Sequence, residues 1–286
     1  VRDSLNALQE AGMPKYDDDS HFQPQNTNNP EAVPYCPGDD PFISFAGRQW
    51  WINYHWTQNQ GTYVWEPFKS VFDPKIIEHG PDGIRLQILP GDDPAAWRTS
   101  EVVLMDKLGY GKYLVTARAD GGSFSNLDPH AIFGVFLYQY SEAPPSNGRN
   151  KHREIDFLEV LRNAVGEAQF TLQPFGDNPP HPVEFFKIPP ATPMITIVNH
   201  WHADAGGKRV AEFACYSGDW SLGNPPPEDK LIAKWSPAQN PDCAPLIPDH
   251  TDTSCERLHL NLWLMHGEAP SGPQSVTVTR FEFEPA

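Results

Sequence analysis

No apolar run in this 286-residue chain approaches the ~18 residues that a membrane-spanning helix requires, so a helical span is excluded. Positive charge is scarce. Twenty-one Lys and Arg stand against 37 Asp and Glu, a formal net charge of −16, which leaves no basic patch for a nucleic-acid backbone. Cysteine is rare: Cys36, Cys215, Cys243 and Cys255 are the four, and none forms the CxxC pair of a zinc ribbon or a thioredoxin-type site. No Gly-x-Ser-x-Gly elbow occurs, which argues against a serine hydrolase. The run Gly109-Tyr110-Gly111-Lys112 lacks phosphate-loop spacing and reads as a turn into a strand. No Asn-x-Ser/Thr sequon is present. The first residue is Val1, with no initiator Met and no apolar leader, as expected of a processed product.

Proline and tryptophan are plentiful, with 31 and nine residues. Proline at about twice its usual share argues against long helices and for loops between strands. Residues 1–40 are polar and proline-punctuated, so they read as an irregular arm with one short helix at 4–11. From residue 41 the pattern becomes short alternating segments separated by turn residues. Strands are expected at 84–88, 101–105, 113–118, 131–140, 168–173, 210–215, 258–265 and 275–283. Many short strands with almost no helical period indicate an all-β sandwich or barrel, taken as a single domain over 41–286.

Alternate side chains of a strand face opposite sides of a sheet. In 131–140, Phe133, Val135 and Leu137 share one face, while Ile132, Gly134, Phe136, Tyr138 and Tyr140 share the other. In 168–173, Ala168, Phe170 and Leu172 oppose Gln169, Thr171 and Gln173. In 258–265, four leucines oppose His259, Asn261, Trp263 and Met265. A plain solvent face would be rich in Lys, Glu and Ser. Aromatics that stack on sugar C–H faces, and amides that bond hydroxyls, suit a carbohydrate-binding floor.

The most informative segment is His152-Arg153-Glu154-Ile155-Asp156-Phe157-Leu158-Glu159-Val160. Three acids at this spacing with apolar residues between them arise by chance ~0.04 times in such a chain. Two local structures compete. As a helix, Ile155, Leu158, Leu161 and Val165 form an apolar stripe and the acids are solvated. As a strand, Glu154 and Asp156 share a face, but Glu159 has the wrong parity. One extra residue at Phe157-Leu158, a β-bulge, would return Glu159 to the face of the other two. Paired carboxylates on such a floor suit glycosidic bond cleavage, with retention if they stand ~5–5.5 Å apart. Asp156, between them, would raise a neighbour's proton affinity through like-charge repulsion.

Glu154-Ile-Asp156-Phe-Leu-Glu159 resembles the bulged ExDxxE signature of glycoside hydrolase family sixteen, which includes laminarinases and lichenases. Thr99-Ser100-Glu101-Val102, residues 108–113, Val135-Phe136-Leu137-Tyr138 and Asn261-Leu262-Trp263 are also similar to segments of that family, so the resemblance covers roughly 42–285. It implies a concanavalin-like jelly-roll sandwich of two antiparallel sheets. It further implies Glu154 as nucleophile, Asp156 as its helper and Glu159 as acid/base, acting on internal β-linkages of a polysaccharide. The chain departs from the family where Gln169 and Gln173 occupy a stretch that carries a His in many laminarinase-like members.

The substrate-binding set is expected to be Trp97, Glu101, Phe136, Tyr138, Gln169, Gln173 and His202, the first two because the resembling family often binds sugar from that strand. Of the aromatic run Trp50, Trp51, Tyr54, Trp56, Tyr63 and Trp65, half or more are expected in the core. His200-x-His202 supplies two metal ligands but no third, so no metal site is assigned. No catalytic cofactor is expected; structural calcium at Asp39-Asp40 or Asp92-Asp93 is the one ion considered. Cys243 and Cys255 are expected to pair, with Cys36 and Cys215 a second candidate, which points to a secreted protein. The chain is read as a monomer, and its −16 charge favours a neutral β-glucan or galactan over anionic polymers. The competing reading is a non-catalytic carbohydrate-binding jelly roll.

Overall fold

Short alternating segments become seventeen strands among the described residues, which are 42–53, 63–65, 70–91, 96–139, 149–162, 167–174, 182–251 and 254–286 of a computed structural model. In chain order they are β1 (Phe42–Phe45), β2 (Arg48–Ile52), β3 (Tyr63–Trp65), β4 (Ser70–Phe72), β5 (Glu78–Gly80), β6 (Gly83–Pro90), β7 (Trp97–Leu104), β8 (Gly111–Ala119) and β9 (Ala131–Tyr138). There follow β10 (Ile155–Val160), β11 (Ala168–Leu172), β12 (Val183–Phe186), β13 (Met194–Ala203), β14 (Arg209–Ser217), β15 (Leu231–Trp235), β16 (Arg257–Leu264) and β17 (Gln274–Pro285). The helical segments among the described residues are three-residue 3-10 turns, in keeping with the proline content.

Strand pairing resolves two antiparallel sheets. The front sheet runs β1-β2-β7-β16-β9-β10-β11-β12. The back sheet runs β5-β6-β17-β8-β13-β14-β15. Strand β7 links them: its first residues pair with β4 and β6, its last with β2 and β16. This is the sandwich the alternation implied, in the jelly-roll form that the family resemblance implied.

The core lies between the sheets. The faces assigned from parity as greasy point inward: Phe133, Val135 and Leu137 of β9, Phe170 and Leu172 of β11, and the β16 leucines are all buried there. Aromatic pairs bridge the layers. Trp50 meets Phe281 at 5.4 Å, Tyr113 meets Phe157 at 5.2 Å and Phe170 meets Phe213 at 5.5 Å between ring centroids. Such pairs add about 0.5–1.5 kcal/mol each beyond area burial.

The acidic segment is a strand and not a helix. Against β9, Asp156 pairs with Phe136, yet Leu158 pairs with Val135 and Glu159 with Gly134. One residue is therefore extra, and the register against β11 shifts over the same stretch. Phe157 and Leu158 both point into the core, where Phe157 packs on Tyr113 of the back sheet.

Several expectations change. The strand expected from residue 101 begins at Trp97, because β7 continues outward to pair with β4 and β6. Strand β9 ends at Tyr138, and Tyr140 lies outside the described residues. The arm with its short helix, Cys36, Tyr54, Trp56, Asp39-Asp40 and Asp92-Asp93 also lie outside them. Trp50 and Trp51 are buried as expected. The expected Cys243–Cys255 disulfide is not formed, and Cys215 sits fully buried as an inward thiol of β14.

The bulge sets up a deletion test. Removing Leu158 would leave Glu154, Asp156 and Glu159 on one face of a regular strand and remove one core side chain. The variant is expected to keep its β-type circular dichroism and to lose about 2–5 kcal/mol in a urea unfolding titration. Loss of the folded state altogether would mean that the extra residue is needed for the sheet itself.

Candidate active site

The outer face of the front sheet carries three transverse rows of side chains, set by register. Glu101, Asn261, Gly134, Glu159 and Gln169 lie directly opposite one another across β7, β16, β9, β10 and β11. Two residues along come Val103, His259, Phe136, Asp156 and Thr171. Next to them stand Arg257 and Tyr138, with Glu154 and Gln173 at the same level, joined by a bond from Gln173 N to the Glu154 carbonyl at 3.4 Å. The bulge makes this arrangement possible. Without it Glu159 would point between the sheets.

Each acid is held. Gln169 Nε2 donates to Glu159 Oε2 at 2.6 Å, and Gln173 Nε2 donates to Asp156 Oδ2 at 3.1 Å. The two glutamines expected to face substrate therefore also orient carboxylates. Glu154 lies one residue before β10, where the long bond from Gln173 N is its cross-strand tie. Asn150, buried, fixes it as well. Its Oδ1 accepts from Glu154 N at 2.9 Å, while its Nδ2 donates to the Glu154 carbonyl at 2.9 Å and to the Leu246 carbonyl at 3.1 Å. Arg153 turns the chain into this clamp with a left-handed φ of 47°. Its buried guanidinium donates to Gln139 Oε1 at 2.9 Å and to the Asp249 carbonyl at 3.1 Å.

The three carboxyls hold protons tightly. Burial and the nearby Glu159 charge push Glu154 up to about 8. Burial, then the Glu154 and Glu159 charges, push Asp156 well above the usual carboxylate range, against the Gln173 bond. Burial also raises Glu159, opposed by the bond from Gln169. Groups this close titrate as a unit. At neutral pH the trio thus retains protons, and an acid and a base can coexist within it.

Glu101 behaves oppositely. Burial disfavours its charge, but His259, Asn261 and Asn53 together hold its pKa below the usual value. Asn53 donates at 2.7 Å and Asn261 at 3.1 Å, and His259 Nδ1 lies 3.3 Å away. Glu101 is an anion spoken for by its neighbours. Since Asn261 Nδ2 serves Glu101, its Oδ1 leans over Gly134, and a Cβ on that glycine would collide with it. That Oδ1 and Thr171 Oγ1 are buried atoms with no protein hydrogen-bond partner.

Aromatic rings complete the face. Phe136 stacks on His259 at 4.8 Å and 26°, and Tyr138 stacks on His152 at 5.2 Å and 12°. Phe136 lies opposite Asp156, and Tyr138 beside Glu154. Trp97, half-buried, stands at the end of β7 where that strand pairs with β6 and packs in part against the main core. Trp263 is taken up by an apolar cluster with Phe72, Ile132 and Leu161. His202 is a clear correction. Its strand, β13, belongs to the back sheet, where Ile195, Ile197 and Trp201 point inward and His202 therefore points out, away from the trio. Asn150 and Arg153 went unassigned from the sequence, although the αL-tolerant Asn-Gly-Arg-Asn run at 147–150 marks a turn.

These features define a concanavalin-like jelly roll with an acidic trio on one face of its front sheet. The solved structures it is similar to include a β-1,3-1,4-glucanase (lichenase) derived from a mouse hindgut metagenome, at TM-score 0.50 and 16% identity over 87% of this chain and 95% of that one. A β-glucanase of Bacillus licheniformis matches at TM-score 0.53 and 14% identity, over 86% and 96%. An endo-1,3-β-glucanase of Streptomyces sioyaensis matches at TM-score 0.52 and 11% identity, over 83% and 90%. No protein-family model and no curated protein sequence matches the chain. At these identities the likeness establishes the fold, and it falls on the same group of proteins as the resemblance carried by the acidic motif.

Two measurements test the site's physics. Asn150→Ala removes three buried hydrogen bonds and should cost about 2–3 kcal/mol in chemical denaturation. The raised pKa values of the trio mean that the folded state binds protons the unfolded chain releases. Stability should therefore fall as pH rises from about 4.5 through about 8. Glu101, with its lowered pKa, acts only below that window. The melting temperature is expected to drop between about pH 5 and about pH 8, and the slope to flatten in Glu154→Gln.

Proposed function

We propose that this chain is a retaining glycoside hydrolase that cleaves internal β-linkages of a neutral polysaccharide, a β-glucan in preference to a galactan. The observation that carries the reading is the bulge at Phe157, which aligns Glu154, Asp156 and Glu159 in one line on the sheet face. The raised pKa values keep protons on the trio at neutral pH, and the reaction uses the microstate in which Glu159 and Asp156 carry them and Glu154 is the carboxylate. The printed names of the similar structures, a lichenase and two β-glucanases, point to the same substrate class.

In the proposed reaction Glu154 attacks the anomeric carbon and forms a covalent glycosyl ester. The bond from that carbon to the leaving oxygen breaks as Glu159 gives the oxygen its proton. Glu159, now a carboxylate, takes a proton from water. The water oxygen attacks the same carbon and frees Glu154. Two inversions give net retention. Asp156, protonated between two glutamates, limits the negative charge around Glu154. Gln169 occupies Glu159 Oε2, so the proton that Glu159 gives sits on Oε1. Phe136 and Tyr138 offer ring surface to the sugar. The net charge of −16 repels sulfated or uronic polymers. We assign the protein to the extracellular side as a monomer and leave structural calcium as a candidate stabiliser.

The test is reducing-end release across a polysaccharide panel by the wild type, Glu154→Gln and Glu159→Gln. Each variant should lose about three or more orders of magnitude in turnover while staying folded. Azide should partly rescue Glu154→Ala with an α-glycosyl azide and Glu159→Ala with the β anomer. Binding of glucan by the wild type without any release of ends would favour the carbohydrate-binding reading instead.

A further inference from the structure

The back sheet carries a second constellation, away from the acidic trio. His200 and His202 lie two residues apart on β13, so both side chains leave the same face. Trp201 between them is fully buried, and its Nε1 donates to the Pro248 carbonyl at 3.0 Å. That anchor fixes the backbone from which both imidazoles project. The β13–β14 register sets Glu212 directly opposite His200. The two imidazole rings stack with centroids 4.1 Å apart at 23°, and His200 Nδ1 lies 3.3 Å from Glu212 Oε2. One ligand atom from each of the three residues lies within 4.8 Å of the others.

We infer that His200, His202 and Glu212 bind one divalent first-row transition metal ion of the zinc type. Tetrahedral bonds of about 2.0–2.2 Å place ligand atoms about 3.4 Å apart. The His200–Glu212 pair already has that separation, at 3.3 Å. His202 reaches it by a side-chain rotation, which its partly exposed position permits. Two imidazoles and one carboxylate select zinc, copper or nickel over calcium and magnesium, which take oxygen ligands. Water fills the fourth position on this exposed face. Lys112 on β8 also lies opposite His200, and its charge weakens the site without blocking it. The two histidines were visible in the sequence. The third ligand was not, because only the strand pairing brings Glu212 to them. A bound ion would join β13 to β14 and stabilise the folded chain by mass action.

The experiment is calorimetric titration of zinc chloride into the full chain after treatment with a chelator and its removal, together with melting curves at each metal load. One site of micromolar affinity is expected, with a melting temperature raised by a few degrees. The double variant His200→Ala/His202→Ala should bind at least tenfold more weakly and lose the rise. Glu212→Gln should show an intermediate loss. Cobalt in place of zinc should give visible absorption bands in the wild type and none in the double variant. Equal zinc binding by wild type and double variant, or no binding by the wild type below about 100 μM, would overturn the inference. Either result leaves the proposed hydrolase untouched, because the ligands stand on the other sheet.

Discussion

Three carboxyl groups on one sheet face repel one another, and burial sharpens the repulsion because little water is present to screen it. Much of the front sheet answers this one constraint. Gln169 and Gln173 each turn an N–H toward an acid, Asn150 grips the backbone of the third, and protons stay on the trio well above the usual carboxylate range. Glu101 shows the alternative on the same face. There, three donors are enough to keep the group charged. The contrast between a lone carboxylate with three donors and a trio with one side-chain amide each for Asp156 and Glu159 is what separates a group kept charged from groups that retain protons.

Much of this was legible in the sequence because alternation is a local property. Phe133-x-Val135-x-Leu137 and the leucines of 258–264 declared their inward face without any knowledge of neighbours. The bulge was legible for a similar reason: two acids with one parity and a third with the other leave few options once the segment is a strand. The helix alternative failed because Phe157 and Leu158 both have core to fill. What escaped was everything decided by pairing partners. His202 reads as a polar strand residue wherever its strand goes, and only the back-sheet ladder shows which way it faces. The turn of β7 out of the front sheet at Trp97 likewise has no local signature. The Asn150 clamp depends on a turn geometry centred on a left-handed Arg153, a conformation that no residue pattern there demands.

The two faces of the molecule use one device in different ways. On the front sheet, register lines up residues from five strands so that charge is concentrated. On the back sheet, a nine-pair ladder between β13 and β14 sets a carboxylate across from one of two neighbouring imidazoles. In both places a buried aromatic fixes the backbone under the polar groups: Phe157 on Tyr113 beneath the trio, and Trp201 beneath the histidine pair.

Strand β16 lies between β7 and β9 in the front sheet, although more than 110 residues separate it in sequence from either. Until that strand arrives, the sheet is two separate pieces, and Glu101 has neither His259 nor Asn261. The polar face is therefore a late product of folding, dependent on contacts that loop closure makes slow. During synthesis, a chain that has already emerged through the acidic segment still lacks its central strand. It exposes two unpaired strand edges, those of β7 and β9, each rich in Val, Ile, Leu or Phe and suited to pairing with another chain. The same placement that unites the site at the end of folding makes the unfinished protein a candidate for holding by chaperones.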